Sequence, residues 1–274
     1  MEKVCIVLRV YNRIEDLNYC VKIIRETWKL NHYHILLVSN GEKDGFLIPK
    51  SIVENCDEHL NLKENIGHFN GNSQLLLAGL KSIPANCSYT IILEADTWIF
   101  GDELINKYIA KLRVEKAVWA SAQFYRYITN VATDFAIVDT SFIKANPAVF
   151  TFTGTPEYYI GEYLTLHKYK FIYINENMPV NLPKYIKKYP FAPTGRFFVF
   201  PRGKMVTHHI ESLKGGMEEK KQHFNVVSDS NYFNLKKKVV KRVLKAKMIF
   251  WIMMSAVIPY KSWFIQSPKF YSGV

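Results

Sequence analysis

Residues 89–104 read YTIILEADTWIFGDEL, and the fold turns on how that stretch is divided. An apolar, largely β-branched run, Thr90-Ile91-Ile92-Leu93, stops at two carboxylates, Glu94 and Asp96, with one alanine between them. A short apolar run closed by polar residues marks a buried strand. Acids at a strand's carboxyl end stand where open α/β sheets build their ligand crevices. In an extended segment alternate residues point the same way, so Glu94 and Asp96 are expected to face one ligand together. Two converging carboxylates suit a hard divalent cation, Mg2+ or Mn2+, carrying a diphosphate. The plainer alternative is a strand end that turns into a helix at Gly101-Asp102-Glu103, with the acids capping that helix.

Upstream, strands alternate with helices. Lys3 to Val10 is a strand ending in Tyr11-Asn12-Arg13, and Leu17, Val21, Ile24 and Trp28 recur at helical spacing behind it. A second strand, Tyr33 to Val38, closes in Ser39-Asn40-Gly41, and a third is expected near His59 to Leu62. The polar, glycine-bearing run from Asn65 to Asn72 reads as a loop leading into a helix from Ser73 to Lys81. This alternation implies βαβ units and a mostly parallel sheet. Downstream the pattern is less regular. Ala117–Tyr125, Phe135–Val138 and Lys170–Ile174 read as strands, Pro156–His167 as a helix, and the proline- and aromatic-rich residues 178–205 as ordered loops.

The 274 residues are 49% hydrophobic, with 18 Phe and 17 Tyr, which excludes a disordered or low-complexity chain. Cys5, Cys20, Cys56 and Cys87 are far apart, with no zinc-type spacing, and imply a reduced, cytoplasmic setting. The first strand starts at once and leaves no room for a signal peptide, and no stretch has the roughly 18–20 apolar residues that span a bilayer. The formal net charge of +12 is unevenly spread. Residues 231–274 hold nine Lys/Arg and no acid, whereas the rest carries 27 basic and 24 acidic residues. No nucleic-acid partner is expected for so balanced a body. The domain reading is therefore 1–228, with a donor half of about 1–115 and an acceptor half of about 116–228, followed by a basic tail, 229–274.

The order strand-YNR, strand-SNG, N-x-G loop and helix, strand-EAD, and an acid-bearing helix before KFIYI resembles nucleotide-sugar-dependent glycosyltransferases of the GT-A fold, family 2 in particular. The likeness covers roughly residues 3–175. It implies a Rossmann-like, mostly parallel sheet flanked by helices. It also implies that Tyr11, Asn12 and Arg13 line the donor nucleotide pocket, with Asn40, Asn65 and Gly67 beside them. Where such enzymes usually carry D-D-G-S or D-N-G-S, this chain has Ser39-Asn40-Gly41-Glu42, so the acid that reads the base is missing. Asn72 falls one residue early for the family's second Asn. Glu94-Ala95-Asp96 stands for the family's D-x-D, with Asp96 as ligand to a Mn2+ or Mg2+ ion on the donor diphosphate and Glu94 as the supporting contact.

An inverting transferase also needs a base for the acceptor hydroxyl. Counting back from Phe171-Ile172-Tyr173, the resemblance points to Glu157, with Glu162 as the fallback. An ordinary first-turn helix acid behind Pro156 would look the same. A late histidine, His208 or His209, is a further candidate metal ligand, and Arg202 and Lys204 are candidate grips on the diphosphate.

The tail makes a separate argument. Val239, Val243, Ala246 and Phe250 share one helical face, Lys238, Lys241, Arg242 and Lys245 another, and Met248–Ile258 is apolar throughout. Such a helix is expected to lie on an anionic membrane through residues 235–264, on the cytoplasmic face, placing a lipid-linked or envelope-glycan acceptor, as in lipopolysaccharide or capsule synthesis, within reach. Two other functions fit less well. A sugar-nucleotidyltransferase needs a glycine-rich loop directly after the first strand, where Val10-Tyr11-Asn12-Arg13 has none. A non-enzymatic basic binding module needs a basic body.

Overall fold

The computed structural model describes residues 3–123, 129–177, 199–200, 202–208, 213 and 215–228, with isolated positions 242, 246 and 250. The chain divides into two compact units, one of residues 1–123 and 129–174, the other of 124–128 and 175–274.

The first unit is built on β1 (Lys3–Val10), a strand buried along nearly its whole length, with a neighbour on both edges and a helix packed on it. Helix α1 (Ile14–Thr27) follows, then β2 (His32–Ser39), the one-turn α2 (Lys50–Val53), β3 (Glu58–Asn61), α3 (His68–Ser82) and β4 (Tyr89–Glu94). Next come the short β5 (Trp98–Ile99), α4 (Glu103–Glu115), β6 (Trp119–Ser121), β7 (Phe135–Asp139), α5 (Thr140–Ala145), α6 (Pro156–Leu166) and β8 (Phe171–Tyr173). Seven strands form one sheet in the order β3-β2-β1-β4-β7-β6-β8. β7 alone runs against its neighbours, so the sheet is mostly parallel, as expected.

The second unit has a two-strand antiparallel pair, β9 (Val199–Phe200) with β10 (Met205–Val206), and helix α7 (Gly216–Ser228). Of the expected loops of 178–205, residues 178–198 lie outside the described residues, as does the amphipathic tail apart from the three isolated positions. Among the described residues no helix is long and apolar enough to cross a membrane.

Three sequence expectations are corrected. Helix α3 begins at His68, five residues before the expected Ser73, although His-Phe-Asn-Gly-Asn has little helix propensity. Tertiary contacts outweigh propensity there. Gly67 enters the helix at φ +101, and Gly71 packs so closely that a Cβ would lie 2.2 Å from Asn65 Oδ1. The second correction concerns Asp102, which sits at the N-cap of α4 without capping it. Its Oδ2 instead accepts from Leu30 N at 2.7 Å and from Tyr33 Oη at 2.8 Å, tying α4 to the start of β2. Third, residues 178–205 are not loop throughout: Val199–Phe200 and Met205–Val206 pair as antiparallel strands.

Helix α6 lies against the segment that leads into β7. Glu157 O accepts from Val131 N at 3.1 Å, and a Cβ on Gly161 would stand 2.7 Å from Asn130 Cα. Backbone cannot yield as a flexible side chain does. Gly161→Ala is therefore expected to cost about 1–3 kcal/mol, read as a lower urea midpoint at unchanged m-value.

Candidate functional site

The carboxyl ends of β1 and β4 lie side by side, Arg9 opposite Glu94. The ladder runs one bond further, from Ala95 N to Arg9 O at 3.0 Å, and then the chain turns, with Thr97 N donating to Glu94 O at 3.0 Å. Glu94-Ala95-Asp96 is thus a strand end followed by a tight turn, not an extended segment. The two acids converge through the turn rather than through strand alternation. Helix α1 holds the far side of that turn: Cys20 Sγ reaches Thr97 O at 3.5 Å, Trp98 Nε1 donates to Asp16 O at 3.2 Å, and Trp28 Nε1 donates to Ile99 O at 2.9 Å.

Arg9 is the centre of the site, and its only mark along the chain is that of a cation inside an apolar strand. It is 3% exposed. Its Nη1 donates to Asn72 Oδ1 on α3, and its Nη2 donates both to Thr133 O, just before β7, and to Glu94 Oε1 at 3.3 Å. Asn72 therefore reaches the site by holding Arg9. Burial pulls the guanidinium's affinity for its proton down, and Glu94, Asp134, Glu157 and Asp96 hold it up. A guanidinium so placed stays charged.

Asp96 is 4% exposed and Asp134 7%. Asp134 is a second residue that sequence reading passed over; its carbonyl accepts from Glu94 N at 2.9 Å and its Oδ1 from Phe135 N at 2.9 Å. Glu157, in the first turn of α6, accepts from Thr133 Oγ1 at 3.2 Å. Burial pushes its carboxyl up to about 7, helped by the nearby Glu94 and opposed first by a hydrogen bond from its own backbone, then by the hydrogen bond from Thr133 and the charge of Arg9. Burial pushes Glu94 up to about 7 as well, against the pull of Arg9. Half-buried carboxyls poised near neutrality are suited to proton transfer.

The other expected donor contacts form one adjoining edge. Asn40 is 1% exposed; its Nδ2 donates to Gly71 O at 3.2 Å and Gln74 Oε1 at 3.3 Å, while its Oδ1 is buried with no partner among the described residues. Such an orphaned acceptor is where a ligand or an ordered water bonds. Asn65 Oδ1 accepts from Gly67 N at 2.9 Å, and a Cβ on Gly41 would meet Tyr11 O at 2.4 Å, so the ends of β1, β2 and the loop before α3 are packed backbone to backbone. Tyr11 lies edge-on to Phe46 at 5.1 Å; Asn12 is exposed and Arg13 stands at the N-cap of α1.

Glu162 is exposed. Five residues along α6 from Glu157, it points roughly 140° away around the helix. Arg202, Lys204 and His208 belong to the second unit, with φ of 48 and 78 at the last two, and His209 lies outside the described residues.

For a metal, the oxygen donors of the Glu94–Asp96 turn have the right hardness for Mg2+ or Mn2+. Among the described residues no three His, Cys, Asp or Glu side chains are arranged as a cage. The donor set fits an ion held by one or two carboxylates and completed by substrate phosphates.

No family model and no curated protein matches the chain. Among solved structures it aligns with the mannosyltransferase PcManGT from Pyrobaculum calidifontis, in complex with GDP-Man and Mn2+, at a TM-score of 0.49 and 10% identity, over 94% of this chain and 76% of that one. S. aureus TarS 1–349 aligns at 0.47 and 10% identity, over 65% of this chain and 59% of that one, so this chain spans less than two thirds of it. 4-Diphosphocytidyl-2C-methyl-D-erythritol synthase from Anaerococcus prevotii DSM 20548 aligns at 0.44 and 14%, over 63% and 86%. Likenesses of this degree decide nothing about chemistry, which has to come from the site.

A carboxyl held near 7 binds a proton in the folded state that the unfolded chain, at the ordinary value of 4.5, has released. Stability is therefore expected to fall as pH rises from about 4.5 through 7 and to level off above. Thermal melts from pH 5 to 8 read the slope, and Glu157→Gln should reduce it, Glu94 supplying the remainder, while melting no lower than the parent protein at pH 8.

Proposed function

We propose that the protein is a glycosyltransferase that moves a sugar from a nucleoside-diphosphate sugar to a glycan or lipid-linked acceptor with inversion at the anomeric carbon. The observation that carries this reading is Glu157. It is a half-buried carboxyl raised to about 7, hydrogen-bonded to Thr133, and set in the same acid-and-arginine cluster as the Glu94-Ala95-Asp96 turn at the carboxyl edge of the sheet. That edge is where open α/β sheets bind their ligands.

In this reading Tyr11, Asn40, Asn65 and Gly67 hold the nucleoside, the buried acceptor Asn40 Oδ1 taking a hydrogen bond from it. Asp96 would hold a divalent cation, Mn2+ or Mg2+, which would supply Lewis-acid stabilisation of the leaving diphosphate's charge. Glu94, hydrogen-bonded to Arg9, keeps the turn that presents Asp96. Glu157 accepts the proton of the acceptor hydroxyl as the oxygen bonds to the anomeric carbon, while the bond from that carbon to the phosphate oxygen breaks and the nucleoside diphosphate departs. A base of this kind contributes about 10²–10⁴ in rate. The reading extends to the tail on sequence grounds: a basic, amphipathic 235–264 segment on the cytoplasmic face of an anionic membrane would bring a lipid-linked acceptor to the site.

Thermal-shift measurements with UDP-, GDP-, CDP- and dTDP-sugars, with and without Mn2+, test the donor half. One nucleotide class should stabilise the protein in a metal-dependent way, by about 2.7 kcal/mol at a hundred times its Kd, and Asp96→Ala should abolish the effect. Metal-independent silence towards all four classes would sink the proposal. Glu157→Gln should keep donor binding and lose at least about 100-fold in transfer. With the base near 7, kcat/KM in the parent protein should rise tenfold per pH unit below about 7 and then level off.

A further inference from the structure

Thr133 joins the two sides of this site with different atoms. Its carbonyl accepts from Arg9 Nη2, the nitrogen that also reaches Glu94 Oε1 at 3.3 Å, and its hydroxyl donates to Glu157 Oε1 at 3.2 Å. The side chain is 3% exposed. The backbone around it has little freedom. Val131 N donates to Glu157 O at 3.1 Å, Ala132 N to Ala122 O at 2.7 Å, and Glu94 N to Asp134 O at 2.9 Å. Residues 131–134 are thus pinned to α6, to the segment after β6, to β4 and to β1, and the hydroxyl of Thr133 is carried on a fixed base.

We propose that Thr133 is a positioning residue for Glu157, fixing one carboxylate oxygen by its hydroxyl and so orienting the carboxylate towards the reacting hydroxyl. This rests on Glu157 being the base. Packing by the γ-methyl is the competing role, and the two differ in which isostere they tolerate. A hydrogen bond to a carboxylate favours its ionised form. The hydroxyl therefore also lowers the pH at which Glu157 becomes competent, alongside Arg9 from β1 and against Glu94 from β4. Asp96 and Asp134 complete the charges around that Arg9.

The experiment compares Thr133→Val, which keeps shape and loses the hydroxyl, with Thr133→Ser, which does the reverse. In metal-free buffer the Glu157 carboxyl is followed by carbon-13 NMR on glutamate-labelled protein, assigned by its absence in Glu157→Gln. Thr133→Val should raise the Glu157 midpoint by roughly 0.5–1 pH unit, and Thr133→Ser should leave it in place. Where a donor and acceptor are in hand, Thr133→Val should lower kcat about tenfold at pH 6.5 with donor KM unchanged, and Thr133→Ser should restore it. An unshifted midpoint in Thr133→Val overturns the proposal, as does a normal valine variant beside a crippled serine one. If no nucleotide-sugar is a substrate, the function above fails, while the titration still decides the role of Thr133. Urea midpoints of both variants separate either result from loss of fold.

Discussion

A charged guanidinium buried at the end of the central strand is the constraint that the rest of the site obeys. Arg9 cannot discharge, so its surroundings must supply anions and acceptors, and three different parts of the chain come in to do so: α3 with Asn72, β4 with Glu94 and the approach to β7 with Thr133. Removing a partner destabilises the fold, because a charge buried on the Arg9 side is left uncompensated. The acids at the sheet's edge and the arginine therefore define one another. Neither set could be buried alone.

The cluster holds more carboxylates than cations. With Glu94, Asp96, Asp134 and Glu157 all acting on one Arg9, burial wins for Glu94 and Glu157 and both rise to about 7. A site with an excess of negative charge and carboxyls poised at neutrality is prepared for a cation and for a proton. That is the pairing an inverting transfer from a diphosphate leaving group requires, and it is the physical link between the fold and the function proposed for it.

The sheet was legible because strands and helices announce themselves by period. VCIVLRV, HILLV and TIILE are apolar runs ended by polar residues, and each became a strand within a residue or two of its expected bounds. What misled was local chemistry overruled from a distance. The polar HFNGN run reads as loop, yet it is the first turn of α3 because Gly71 packs against Asn65 and Asn72 holds Arg9. Asp102 has the look of a cap but spends its carboxylate on Leu30 and Tyr33.

By itself the sequence determined the alternation of elements, the acids 94 and 96 at a strand's end and the acid at 157, since these depend on neighbours along the chain. Only the tertiary structure decided that Asp96 faces the site by a turn rather than by strand alternation, that Glu157 and not Glu162 looks inward, and that Arg9, Thr133 and Asp134 belong with them. The reason is separation. Arg9 meets Thr133 across 124 positions and Glu94 across 85, and no local period carries information over such distances.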